Sequence, residues 1–574
     1  MKTKKCLSIV LAIAMVVCSF TFCVTGSAAA TKNKSAMNGV STPFNIYTVK
    51  TNYKLYFKGK SDIPYVSMDD VTKILASIVK TVRPNLKYTT KIKGSTYRIS
   101  NNSGSYIELN TSKNTLTIAN EQRLFKYTTD DLFINLYGFG SNSEKLFELN
   151  KEDSMSRLGK NRVYNLGKYG IKPIREKKKF YIPLQTLSDT VFSIIDDALV
   201  YNGKGVCVAN LLLNASVRKE FMNVPKKTFS KEYGLFNYNE LCMFLDSEYG
   251  LKKDHNISSF DEAFKANGFK DDLSSTDTKK ADKALGDAIC SLLDDNHSRL
   301  FLPSFSSKYA DEKEANAVIT PRGVSYMTLQ KNRSMLLAAR NKYNDTIKPY
   351  YELGDTAYIT VDSFSNVTSP AENYTVFPEE SKLNLSDTVR LMQYACKMIL
   401  RDGSPIKNVV MDLSLNNGGE VIAGEYTIGT FLGQAYIPMY NTTTKVMEKN
   451  VYHVDTNLDG VFDEKDTLAG KGLNLYCICS GYTYSCANLV TNILKDSGKI
   501  TIIGQTSAGG TCKPISASTA FGSVFRMSSS NQISLYKNGS MYGIDRGAEP
   551  HYQIGDMSKI YDRQYMNKYI SNLG

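Results

Sequence analysis

The chain has 574 residues, with 70 Lys and Arg against 56 Asp and Glu, for a formal net charge of +14. This length gives room for about three or four domains. The positive charge is scattered rather than gathered with aromatic residues into a compact cluster, which argues against a nucleic-acid-binding protein. No apolar run after residue 30 is long enough to span a bilayer.

Residues 1–30 read as a secretory signal peptide. Lys2, Lys4 and Lys5 form a basic start, Leu7 to Cys23 is mostly apolar, and Ser27 to Ala30 offers small residues for cleavage. Cys23 lacks the small preceding residue of a lipoprotein site. The mature chain then starts near Thr31 and is secreted or envelope-associated, in the manner of Gram-positive export. It keeps a net charge of about +11 once the three leader lysines are gone, which suits contact with an anionic cell envelope. Of eleven cysteines, Cys6, Cys18 and Cys23 lie in the leader. The others are scattered, and Cys290, Cys396, Cys477 and Cys479 lie in apolar runs. They read as small core residues rather than a disulfide framework, with a Cys486–Cys512 pairing left open.

Residues 31–43 are small and polar and read as a linker. Residues 44–214 read as a β-rich α+β module, with strand-like alternation in Tyr53 to Phe57, Tyr88 to Ile99 and Tyr106 to Ile118. Two stretches, Pro64 to Val71 and Phe180 to Leu187, share the shape of a short strand entering a helix. The module weakly resembles the small α+β domain at the front of copper amine oxidases and of many Gram-positive exported proteins, without a copper site. That resemblance implies a binding or spacer role, with cell-envelope contact.

Residues 215–310 read as helical. Ala281, Ala284, Leu285, Ala288, Ile289 and Leu292 form one apolar face, and the helix ends at Asp294-Asp295-Asn296-His297. Residues 311–574 read as an α/β core. Strands at Ala357 to Val361, Asn408 to Leu413 and Thr501 to Ile503 alternate with helices, one of them capped by Ser386, which implies a parallel or mixed sheet. The whole is therefore an α+β multidomain chain.

Within that core, the run from Leu473 to Ser480 reads as a buried strand broken by Gly481. The residues after Ser485, through Leu489, Val490, Ile493 and Leu494 to Gly498, read as a helix. A serine at such a turn sits at the positive end of the helix dipole with its hydroxyl at the sheet edge, which suits a nucleophile whose reaction generates an oxyanion. A helix-capping serine is the competing interpretation.

Four segments fall in order: Asp295-Asn296-His297-Ser298, Asp412-Leu413-Ser414-Leu415-Asn416-Asn417-Gly418-Gly419, Thr483-Tyr484-Ser485-Cys486-Ala487, and Gly504 to Gly510, with Gly547-Ala548-Glu549-Pro550 beyond. Together they resemble the serine peptidases of the C-terminal processing (tail-specific) and tricorn-core family over about 280–560. The resemblance implies a catalytic core of crotonase-like and ClpP-like type and an exported serine endopeptidase acting on peptide or protein substrates through an acyl-enzyme. In that picture Ser485 attacks and His297 is the general base. Glu549, with Asp545 as fallback, orients the imidazole. The amides of Gly418, Gly419 and Cys486 hold the oxyanion. One branch of the family uses a lysine base; here its place is taken by Gly509-Gly510, with Lys513 further on, which favours the tricorn-like, histidine-using branch. Ser414 replaces the usual arginine, Asn488 the usual glutamate, and His551 the usual aspartate, and 300–352 is too short for a PDZ domain. Two rival readings stand beside this one: a non-catalytic envelope-binding protein on a peptidase scaffold, and a Ser-Lys peptidase using Lys513.

A separate signal lies at 455–466. Asp455, Asn457, Asp459, Asp463 and Asp466 fall at loop positions 1, 3, 5, 9 and 12 of the calcium-loop pattern, Gly460 supplies the turn and Val461 a carbonyl. Catalysis by serine and histidine needs no cofactor, so calcium would be structural.

Overall fold

The apolar runs of the core build a sheet buried on both faces. In the computed structural model, which describes residues 36–46, 49–125, 146–209, 215–365, 374–537 and 540–573, six strands run in the order Tyr350–Leu353, Thr356–Thr360, Asn408–Asp412, Asn474–Cys479, Thr501–Gly504 and Tyr552–Gln553. The first pair is antiparallel and the others are parallel. Val409, Met411, Leu475, Cys477 and Cys479 join one core with residues of the helices Thr388–Ile399, Val421–Leu432 and Cys486–Asp496. Val410, Tyr476 and Ile478 join another with residues of the helices Val324–Arg340 and Arg563–Ser571. A parallel sheet covered on both sides needs apolar residues in both phases of each strand. The parallel strands deliver the loops after Asp412, Cys479 and Gly504 to one edge.

The cap of the Thr388–Ile399 helix is Asp387 rather than Ser386, because the Asp387 carboxylate takes the Arg390 N–H at 3.1 Å. A carboxylate at that end also suits the helix dipole.

A second sheet runs beside the first in the order Arg299–Leu302, Val524–Lys537, Ala435–Asn441, Met447–Val454 and Phe147–Arg157, with Cys512–Ser518 and Ser540–Gly543 also paired to the long Val524–Lys537 strand. Two of its members come from regions the sequence reads otherwise. Phe147–Arg157 belongs by chain position to the front module, and Arg299–Leu302 to the helical part.

The front of the chain holds a seven-stranded and a five-stranded sheet around one core that includes Phe44, Val66, Ile74, Ile99, Leu116 and Ile182. The two look-alike units are neighbours: strand Tyr65–Ser67 enters helix Met68–Val82, strand Lys179–Pro183 enters helix Leu184–Thr190, and the two strands pair antiparallel. Residues 37–43, read above as linker, form most of strand Met37–Ile46, which pairs with Val49–Lys58 along its whole length. Small and polar residues suffice there because the ladder supplies the backbone partners. The leader at 1–30 lies outside the described residues. Among the described residues, all eight cysteines are free, and no helix is long and apolar enough to cross a membrane.

The front module is joined to the rest by a buried charge network. Arg162, 4% exposed, donates to Glu248 Oε1 at 2.8 Å and to Glu121 Oε1 at 2.9 Å, and Tyr164 OH donates to Glu248 Oε1 at 2.7 Å. Removing the cation from such a site leaves two carboxylates facing each other without water. Arg162→Met is therefore expected to cost about 3–5 kcal/mol of stability, measured by denaturant unfolding of the full chain. A loss under about 1 kcal/mol, the level of an exposed pair, would mean the network holds nothing together.

Candidate active site

Ser485 closes the turn between strand Asn474–Cys479 and helix Cys486–Asp496 with φ 55° and ψ −123°. A non-glycine residue rarely adopts that conformation, and it persists only where the surroundings hold it. Here they do: Ser485 N–H donates to Gly509 O at 2.9 Å, Ala508 N–H donates to Thr483 O at 2.7 Å, and Thr483 Oγ1 donates to Leu413 O at 2.8 Å. The turn is thus stitched to the loops after the two neighbouring strands. Glycine permits the contact. A Cβ on Gly510 would lie 2.9 Å from Ser485 N and 2.8 Å from the Tyr484 ring, and one on Gly418 would lie 2.9 Å from Ser485 Cβ.

The Ser485 hydroxyl does not cap its helix. It lies 2.9 Å from His297 Nε2. His297 sits in the turn between the π-helical segment Ile289–Leu293 and strand Arg299–Leu302. That turn is organised by Asp295, whose carboxylate accepts from His297 N–H at 3.0 Å, Ser298 N–H at 2.9 Å, Ser298 Oγ at 2.6 Å, Ser528 Oγ at 2.8 Å and Tyr249 OH at 3.0 Å. Arg526 Nε donates to His297 O at 2.7 Å, and the Tyr484 ring packs 4.9 Å from the imidazole. His297 is 6% exposed, and burial pulls its pKa down to about 4, against the pull of the Asp295 charge. The ring is therefore neutral at ordinary pH, as a proton acceptor must be. Its Nδ1 is buried and has no hydrogen-bond partner of good geometry, although the Cys512 backbone is close enough to favour the charged ring.

The other expected site residues are placed as follows. Asp545 accepts from Gly510 N–H at 3.2 Å and Thr511 N–H at 3.1 Å; burial still pushes its carboxyl upward. Glu549 is exposed and offers its carbonyl to Lys495 Nζ. Neither carboxylate is brought to the imidazole. Gly418 N–H donates to Asn416 Oδ1 at 2.8 Å. The amides of Gly419 and Cys486 have no partner among the described residues, and Cys486 N lies 3.2 Å from where a Gly418 Cβ would sit. Lys513 is an electrostatic neighbour of Asp196, and its carbonyl accepts from Ser529 Oγ.

In the 455–466 loop, Asp455 accepts from Leu458 and Gly460 N–H, Asp459 from Val461 N–H, Asp463 from Lys465 N–H, and Asp466 from Thr456 and Asp463 N–H. Asn457 Oδ1 takes Asp459 N–H. Among the described residues, no group of three or more His, Cys, Asp and Glu is placed to hold a metal ion.

Sequence reasoning gave Asp295 no role, although it stands in the quoted motif, and missed Arg526, which no motif marks. Both act between the His297 turn and the distant strand Val524–Lys537: Asp295 accepts from Ser528 Oγ, and Arg526 donates to His297 O.

Residues 355–554 match the family model of Peptidase family S41. No curated protein matches the chain. Among solved structures, the chain is similar to a candidate peptidase from Parabacteroides merdae, with 14% identity over 60% of this chain and 96% of that one and a TM-score of 0.41. A lipoprotein from Streptococcus agalactiae gives 15% identity, 59% and 96% coverage and a TM-score of 0.34. Mature CPAF gives 11%, 60% and 96%, and 0.38.

A side chain at Gly510, where φ is 92°, collides with Tyr484 and the Ser485 backbone. Gly510→Ala is expected to slow modification of Ser485 by a fluorophosphonate probe about 10²-fold, the scale of an ångström's misplacement. Labelling at the wild-type rate would show that the turn does not depend on this contact.

Proposed function

We propose that the S41 serine peptidase this chain carries cleaves peptide or protein substrates through an acyl-enzyme formed on Ser485, with His297 as general base. The observation that carries this reading is the 2.9 Å approach of a neutral, buried imidazole to a hydroxyl that its own helix leaves free. Ser485 Oγ attacks the scissile carbonyl carbon as its proton passes to His297 Nε2. The tetrahedral oxyanion is held by the amides of Gly419 and Cys486, the two of the expected three that are without partners. His297 then delivers the proton to the leaving amine, and water repeats the sequence on the ester. The Asp295 charge, already the main influence favouring a charged ring, steadies the imidazolium. The nearness of His297 rather than Lys513 to the hydroxyl supports a histidine base.

In this reading the leader directs export, and the front module, with the positive charge of the chain, meets the cell envelope. Calcium takes no part in the chemistry in this reading: Asp455 O accepts from Tyr426 OH, Asp455 N–H donates to Leu146 O, and no hydrogen bond among the described residues links the loop to Ser485 or His297. Chelation of divalent ions with EDTA is expected to leave the rate of Ser485 labelling unchanged. A large drop, restored by calcium, would give the loop a hand in shaping the site.

The mechanism is tested by fluorophosphonate labelling of the mature protein. The wild type is expected to label, Ser485→Ala not to label, and His297→Gln to label about 10²–10⁴-fold more slowly. The pH profile should follow the base. Below the His297 pKa the ring is protonated and cannot accept, so labelling should rise with pH through a midpoint near 4, well below an ordinary histidine, and then stay flat through neutrality. Labelling that survives in Ser485→Ala would sink the reading. A Lys513→Ala variant that is dead beside an active His297→Gln would move the base to lysine.

A further inference from the structure

One helix is tied to all three loops that carry the site. Of the 17 residues of Val324–Arg340, only Leu329 and Leu336 are buried. They pack in the core that also holds Leu415, Tyr482 and Tyr484. The helix is otherwise joined to the site by a few polar contacts, spread from one end to the other.

Its first turn is capped by the His297 turn. Gly323 stands at the cap position and has no side chain to offer, so the Ser325 N–H is taken by Asp294 Oδ1 at 3.1 Å. Asp294 leads directly into Asp295-Asn296-His297, and a Cβ on Gly323 would lie 2.2 Å from its Oδ1. A carboxylate in that place also suits the helix dipole. In the middle of the helix, Asn332 Nδ2 donates to Gly481 O at 2.8 Å, the one hydrogen bond that carbonyl makes among the described residues. Gly481 opens the turn that ends in Ser485, and a Cβ on it would lie 2.7 Å from Asn332 Nδ2. At the last residue, Arg340 Nη1 donates to both carboxylate oxygens of Asp362 at 2.7 Å. Asp362 leads into Phe364, whose N–H donates to Gly418 O at 3.0 Å and whose carbonyl accepts from Glu420 N–H at 2.7 Å. The Gly418-Gly419 loop is thereby held from the same helix.

We propose that helix Val324–Arg340 is a brace that keeps the base, nucleophile and oxyanion loops in register, with Asn332 and Arg340 as positioning residues. This rests on the peptidase reading above. A helix is a stiff ruler, and from Ser325 to Arg340 it fixes a span of about 22 Å. Neither Asn332 nor Arg340 makes a hydrogen bond to Ser485 or His297 among the described residues; each acts through the backbone it holds. Without the Asn332 amide, the Gly481 carbonyl loses its partner and the strained Ser485 turn loses a fixed point. Because the helix buries so little, these ties matter more to the placing of the loops than to the stability of the fold.

The test separates the fluorophosphonate reaction of Ser485 into its half-saturating probe concentration and its maximal rate. Asn332→Leu keeps the bulk and donates nothing. It is expected to lower the maximal rate about 10–100-fold, the scale of an ångström's misplacement, with half-saturation within about twofold of the wild type. Arg340→Met keeps the stem and loses the ion pair; a smaller fall of about 3–10-fold is expected from this more exposed contact. Both variants should unfold within about 3 °C of the wild type. Met335→Gln, on the exposed side of the same helix at 55% exposure, should leave rate and half-saturation unchanged. An unchanged maximal rate in either positioning variant, whether or not its half-saturation or stability moves, overturns the brace and leaves the peptidase reading standing. A wild type that does not label at all overturns the peptidase reading and the brace with it, so the two failures are distinct.

Discussion

Everything at the site depends on one backbone constraint: Ser485 is held at a positive φ between a buried strand and a helix. That conformation is unfavourable in isolation and is paid for by its neighbours. The loops after Asp412 and Gly504 exchange backbone hydrogen bonds with the turn through Asn416, Ala508 and Gly509, and Gly418 and Gly510 permit the close approach, because a side chain at either would collide with the turn. The parallel sheet is what makes this meeting possible, because it brings the ends of three adjacent strands to one edge. The hydroxyl, denied the capping role, is left to face the imidazole.

The imidazole is positioned by a different logic. Its turn leads into the second sheet, not the first, and it is fixed from below by the many hydrogen bonds that Asp295 accepts and from the side by Arg526. The geometry of the Ser485–His297 pair therefore depends on how the two sheets pack, not on any short segment. This explains how far the sequence could be read. The strand-turn-helix around Ser485 is local, and its apolar runs and glycines mark it plainly. His297 stood out because the chain has so few histidines and one of them follows an aspartate at the right spacing. The roles of Asp295 and Arg526 come from the pairing of Arg299–Leu302 with Val524–Lys537, more than two hundred residues apart in the chain, and no local pattern carries that information. The same holds for strand Phe147–Arg157, which the chain order assigns to the front but the hydrogen bonds assign to the second sheet.

The front module is equally a matter of long-range contacts. Its attachment combines a strand shared with the second sheet, the buried Arg162 network, and the direct grip of Gln185 Nε2 on Ser518 O at 2.8 Å. Ser518 ends the strand that begins at Cys512, whose backbone borders His297. The module is therefore linked by contacts along one strand to the imidazole. A spacer hung on a flexible tether would have no such path.

The residues at which the motifs differ from the pattern they resemble are each partnered in the packing. Ser414 takes a position where an arginine is usual, and its hydroxyl lies 3.0 Å from Tyr561 OH. Asp412 is met by Arg563, in the last helix, at 3.2 Å, with both side chains almost wholly buried. Asn488, in place of a glutamate, accepts from Ser507 Oγ at 2.7 Å and donates to Ile544 O at 3.0 Å. A carboxylate there could accept the first bond but not make the second, so the amide ties helix Cys486–Asp496 to both flanking loops. These bonds tie the loops around Ser485 to one another and to the last helix. A chain that had lost its chemistry would be under no constraint to maintain a strained serine turn and a buried, neutral histidine, both of which cost stability.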